Sequence, residues 1–258
     1  RLGRLDAPTA SAHWTAAVEP RLPEKVVEIE PPAFPPAAQS AIPQPTGTPS
    51  LEAADQKRFA AAIRAAAEAL ISIEPRLTEW DTKVGDGDCG HTLKGGAQAI
   101  LADLPSYPLG HPREAIAALG CSIRRSMGGT SGVLYDIFAS AASAALSAGS
   151  APTATQVAEA FMAGVSAISR YGGAAAGDRT MLDALAPAGA AMLQAGTTVS
   201  AALAQAAVAA AEGAEKTKAM AAAAGRSSYV MAEALRDVPD PGAMGAAAWL
   251  AAASAALK

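Results

Sequence analysis

The run PTATQVAEAFMAGVSAISR, residues 152–170, decides the fold class. Val157, Ala160, Phe161, Gly164 and Ile168 recur at steps of three and four, which places them on one face of a helix. Pro152-Thr153 supplies the start and Gly172-Gly173 the stop. The same period extends to both sides. Phe59, Ile63, Ala66, Ala67 and Leu70 predict a helix over about 52–73, ended by Pro75. Pro112 suits a first helical turn, and Ala115, Ile116, Leu119 and Ile123 share one side of a helix over about 112–125. Further helices are expected at about 91–103, 133–148, 180–195, 199–212, 214–224 and 241–257. Val, Ile and Thr nowhere cluster with strand alternation. The expectation is an all-α domain of about eight helices.

Composition agrees and narrows the function classes. Of 258 residues 70 are alanine, which suits small helix faces that pack closely. The chain carries 20 Lys+Arg against 24 Asp+Glu and only 4 % aromatics. It lacks the basic stripe or stacking rings of a nucleic-acid binder. Two cysteines are too few for a disulfide scaffold. No window offers 18 uninterrupted long apolar residues, so no membrane partner is expected. Ten of the 18 prolines fall in residues 1–50, a density that forbids helix and suits an extended linker. Residues 51–258 are enough for one core.

The chemistry-bearing residues lie between the helices. Trp80 to Thr92 reads WDTKVGDGDCGHT and holds Asp81, Asp86 and Asp88 within eight residues, separated by glycines. Like charges this close repel, and a hard cation such as Mg²⁺ relieves them. The alternative is an exposed acidic turn with Asp88 as a helix cap. Ser126-Met-Gly128-Gly129-Thr130-Ser-Gly132 offers backbone N–H groups and hydroxyls at a helix start, which is either an anion cradle or a plain Gly-rich turn. Gly177-Asp-Arg179-Thr180-Met181 holds an arginine able to pair with phosphate, although taken alone the stretch is better explained by capping. Gly225-Arg226-Ser-Ser-Tyr229 and Asp237 to Gly242 (DVPDPG) read as loops. Cys121 belongs to the core, and His111 is expected to be solvated in its turn.

In order and identity these five loops resemble the nucleotide-binding L domain of dihydroxyacetone kinases, over about residues 55–257. The matching positions are Asp81-x4-Asp86-Gly-Asp88-Cys-Gly, Gly128-Gly-Thr-Ser-Gly132, Gly177-Asp-Arg-Thr-Met181, Gly225-Arg-Ser-Ser-Tyr229 and Asp240-Pro241-Gly242. The resemblance implies a barrel of about eight antiparallel helices with the nucleotide at one end. It implies that Asp81, Asp86 and Asp88 hold two Mg²⁺ ions against ATP. His91 and Thr92 would reach phosphate, and Ser126, Gly128, Gly129 and Thr130 would form a phosphate and ribose cradle. Arg179, Thr180 and Met181 would line the pocket, with Arg226 and the Asp240-Pro241-Gly242 loop as its lid.

Residues 1–15, with Leu2 to Thr9 and Trp14, look like the tail of the substrate-binding K domain of the single-chain, ATP-dependent branch. Residues 16–50 would be the linker and 51–258 the L domain. Animal-type members of that branch also make cyclic FMN from FAD. The implied function is transfer of the ATP γ-phosphoryl to a small triose held by the K domain. The full-length protein would be a cytoplasmic homodimer, and this chain alone would be inactive or weak on triose. A non-catalytic, nucleotide-binding regulator on the same barrel is the alternative.

Overall fold

The computed structural model describes residues 42, 43, 45 and 47–258. The expected K-domain tail and nearly all of the expected linker lie outside those residues. Nine α-helices and no strand occur among the described residues. They are α1 (Ala53–Val84), α2 (Cys89–Asp103), α3 (Pro112–Ser126), α4 (Gly129–Ala145), α5 (Ala154–Gly172), α6 (Leu182–Gln194), α7 (Val199–Lys216), the single turn α8 (Ala232–Leu235) and α9 (Pro241–Ala255). Each long helix packs on the next in sequence, and α9 packs on both α7 and α1. The eight long helices therefore close into a ring, the all-α barrel that the resemblance implies.

Alternation along the ring sends every second connection to the same end. Residues 85–88, 127–128, 173–181 and 217–240 meet at one end, and they are the loops that carry the motifs. Residues 104–111, 146–153 and 195–198 lie at the other. The chain joins this far end, where the Ser50 and Leu51 amides donate to Gly110 O at 2.8 and 3.2 Å. Ile42 packs nearby against Ile63, Leu104, Tyr107 and Ala118.

Small side chains make the ring possible. Ala202, Ala206, Ala210 and Ala214 form a fully buried stripe along α7. Helix α9 is buried on nearly every side through Ala243, Gly245, Ala246, Ala247, Leu250 and Ala253. A few large residues fill what remains: Leu77, Ile168, Leu182, Leu185 and Leu250 are fully buried, and Phe138 meets Phe161 edge-on at 5.2 Å. Burying such a side chain is worth roughly 1.5–3 kcal/mol, whereas each alanine contributes mainly by letting backbones approach.

Several local expectations change. Pro75 does not end the first helix but lies within α1. It forfeits one helical hydrogen bond, yet Leu77, Asp81 and Val84 beyond it are buried, and that burial carries the helix on. Gly129 to Gly132 form the first turn of α4 rather than a preceding turn. The expected helices at 199–212 and 214–224 are one helix, α7, then a short 3-10 turn over Thr217–Ala219 and a strap, residues 220–238, which holds only the 3-10 turn Arg226–Tyr229 and the single turn α8. The strap leaves the helical path because its Ala223 amide donates to Asp178 O at 3.2 Å. His111 is buried just before α3 rather than solvated, and Cys121 is buried as expected.

Gly213 is required by the packing of α7 on α6. A Cβ there would lie 2.0 Å from the backbone oxygen of Asp183, which cannot move without shifting α6. Gly213→Ala is expected to cost about 1–3 kcal/mol, read as a lower urea midpoint at unchanged slope.

Candidate metal and nucleotide site

Helix α1 runs past Pro75 long enough to put Asp81 on its last turn, and the loop 85–88 brings Asp86 and Asp88 back beside it. The chain must bend sharply here. Gly87 takes φ +80°, and a Cβ on Gly85 would lie 2.2 Å from Asp81 Oδ1. Asp81 is 6 % exposed, and its Oδ2 accepts the Cys89 amide at 2.9 Å. Thus Asp81, not Asp88, satisfies the first turn of α2, where the helix dipole favours a carboxylate. Asp88 caps nothing with its side chain. One ligand oxygen from each of Asp81, Asp86 and Asp88 lies within 4.8 Å of the others. Loss of solvation, then repulsion from Asp86 and Asp81, holds the Asp88 carboxyl above its ordinary range.

This donor set fits Mg²⁺. The ion takes hard oxygens at about 2.1 Å in an octahedron, so cis ligands stand about 3 Å apart and trans ligands about 4 Å. The aspartate oxygens are near that spacing already. No other group of three or more such side chains that could hold a metal occurs among the described residues. Arg226, from the strap, supplies a cation here: its Nη2 lies 3.1 Å from Asp86 Oδ2.

The other motif residues divide into two sets. Gly128, Gly129 and Thr130 are exposed at the start of α4, and no side chain caps that helix. The first N–H groups of a helix have no intrahelical acceptor and favour an anion. Met181 and Gly242 are neighbours, which brings the third and fifth loops together: a Cβ on Gly242 would lie 3.6 Å from Met181 Cβ. Pro241 opens α9, and Asp240 caps it, accepting the Ala243 amide at 2.8 Å. Thr92 follows in the first turn of α2, its amide donating to Asp88 O at 2.9 Å.

Three side chains point elsewhere. His91 turns toward Glu74, about two helical turns below Asp81, with Nε2 3.6 Å from Oε1 and its side chain 69 % exposed. Ser126 Oγ donates to Ser122 O at 2.6 Å. Arg179 is 1 % exposed; its Nη2 donates to Val238 O at 2.8 Å, so it grips the strap. Its Nε and Nη1 have no protein partner.

Two residues outside the expected site organise it. Asp183, on the first turn of α6, accepts the Gly177 and Thr180 amides at 2.5 and 2.8 Å and so shapes the third loop. Its signal in sequence was only a helix-start aspartate. Thr217 carried no signal at all. Burial, and then the neighbouring carboxylates, push the Cys89 thiol well up, so it stays protonated and inert.

The fold and site define a helical domain with an acidic cluster of the kind that could hold a metal at one end. Residues 83–255 match the DAK2 domain family, and the chain belongs to that family, the L domain of dihydroxyacetone kinase. A protein of Solanum lycopersicum provisionally named a 3,4-dihydroxy-2-butanone kinase is 46 % identical over 100 % of this chain and 44 % of its own length. The Homo sapiens triokinase/FMN cyclase is 35 % identical over 96 % of this chain and 42 % of its own. A crystal structure of the dihydroxyacetone kinase from C. freundii in complex with AMP-PNP and Mg²⁺ superposes with a TM-score of 0.65 at 30 % identity, covering 98 % of this chain and 41 % of that one. The chain thus spans less than half the length of these relatives. No described helix is long and apolar enough to cross a membrane.

Burial pushes the Asp240 carboxyl up to about 6; Asp183 and Asp81 add to this, against the Ala243 amide and Arg179. A carboxyl raised on folding contributes stability below its unfolded value that is lost as pH rises through the folded one. Asp240→Asn removes that loss. Thermal midpoints measured from pH 4 to 7.5 should show the wild type falling relative to Asp240→Asn as pH rises to about 6 and holding a steady difference above it. A difference constant across the whole range would count against a buried charge.

Proposed function

We propose that this chain is the nucleotide-binding half of a dihydroxyacetone kinase, which binds Mg·ATP at the acidic end of the barrel and presents the γ-phosphoryl to a triose held by a K domain. The observation that carries this reading is the convergence of Asp81, Asp86 and Asp88 where the glycine-rich start of α4 also opens. The relative crystallised with AMP-PNP and Mg²⁺ supports it.

Asp81, Asp86 and Asp88 would hold Mg²⁺, two ions in the family's arrangement, which would neutralise charge on the phosphate oxygens. Asp81 is fixed by the Cys89 amide, and the two exposed aspartates are free to adjust. The amides at Gly128, Gly129 and Thr130 would donate to phosphate oxygens, in the manner of a helix N-terminus. Arg226 would exchange its pairing with Asp86 for the nucleotide's own negative charge. These groups position and neutralise, which is most of what phosphoryl transfer asks of a protein. None of them activates an acceptor hydroxyl, so the triose and its activation belong to the K domain. The relatives named triokinase/FMN cyclase support a second use of the same site, on FAD.

Calorimetry should show ATP binding that requires Mg²⁺ in the wild type and is lost in Asp86→Ala; an unaffected variant removes the metal assignment. In a coupled assay the chain alone should phosphorylate dihydroxyacetone weakly or not at all, with turnover restored by a separately supplied K domain. Full-speed turnover by the chain alone would exclude the division of labour.

A further inference from the structure

Thr217 stands between Lys216 and Lys218, outside every loop motif, yet it is 0 % exposed. Its Oγ1 donates to Ala214 O at 2.5 Å. Such a bond to the preceding helical turn is ordinary for threonine. The second bond is not local: the same oxygen accepts the buried backbone N–H of Asp240 at 2.8 Å, across 23 residues. The hydroxyl thus works as donor and acceptor at once, and it joins the end of α7 to the cap of α9.

Between these two points runs the strap, residues 220–238. Thr217 closes its base. Arg179 holds its last residue through Val238 O at 2.8 Å, and Asp178 O receives the Ala223 amide at 3.2 Å. The strap carries Arg226 to within 3.1 Å of Asp86. A loop closed at its base has few ways to place its tip, whereas one released there samples many.

We propose that Thr217 is a positioning residue of the nucleotide site: the pin that closes the base of the strap and so holds Arg226 over the acidic triad. The inference rests on the Mg·ATP reading above. It also separates two roles within the fifth loop, since the Asp240 side chain caps α9 while its amide anchors the strap.

The test compares Thr217→Val, close in volume but without the hydroxyl, with Thr217→Ser, which keeps it. Mg·ATP affinity is measured by calorimetry on the whole chain. Strap closure is measured separately by native-state trypsin cleavage at Arg226 and Arg236, both exposed, against Arg64 and Lys83 in α1. Thr217→Val is expected to weaken Mg·ATP binding about tenfold, the scale for one unpaired buried donor, and to speed cleavage in the strap but not in α1. Thr217→Ser should restore both. Unchanged affinity and strap cleavage would overturn the proposal. So would equal acceleration in α1, failure of Thr217→Val to fold, or lack of rescue by serine, each of which makes Thr217 an ordinary core residue. If the wild type binds no Mg·ATP the nucleotide reading fails, and the cleavage contrast still judges the pin.

Discussion

The structure depends on how closely its helices can approach. A ring of eight helices has eight seams to seal, and this chain seals them mostly with alanine. Little apolar area is gained per residue, so dispersion between closely spaced backbones must supply the rest. That constraint explains why the buried stripe of α7 is Ala202, Ala206, Ala210 and Ala214. It explains why Gly213, one residue before the end of the stripe, has no room for a methyl group. A barrel sealed this way is intolerant of added volume.

At the site the governing term is electrostatic. Three carboxylates are held together by a loop whose shape is fixed by other interactions: the Asp81 bond to Cys89 N, the bend at Gly85 and the conformation of Gly87. Their repulsion is therefore built in and not relaxed away. Arg226 offsets part of it from a segment anchored at its base. The acidic loop is fixed by the barrel, while the compensating cation arrives on a strap.

The sequence made the fold class and the site's location readable to different depths. Helical period and the missing strand alternation were enough for an all-α domain of about eight helices, because the period survives alanine richness at positions such as Val157, Phe161 and Ile168; the barrel came from the family resemblance. The acidic triad was readable because three aspartates among glycines are costly without a purpose. Pro75 misled, since the rule for proline counts the local cost and not the burial of Leu77 and Val84 beyond it. The stretch Ala221 to Ala224 misled in the opposite sense: strong helix formers lie outside any helix, where the Ala223 amide is bound to Asp178 O. His91 and Ser126 stand beside the motif residues in sequence, yet helical geometry turns their side chains toward Glu74 and Ser122. Thr217 could not be read at all, because its partner lies 23 residues away and the bond is made by a backbone amide that has no signature.

The chain enters the barrel at the end opposite the acidic loops, where Ser50 is bound to Gly110. Helix α1 then spans 32 residues, about 48 Å at 1.5 Å per residue. Anything joined ahead of residue 50 that is to meet the triad must first travel that distance back. Ile42 is already packed on the barrel, so a linker over residues 16–41, if extended at about 3.1 Å per residue, would have a contour length of about 80 Å, well under twice the journey. A tether much shorter than the journey itself would leave a preceding domain unable to reach the site, however well the two surfaces matched.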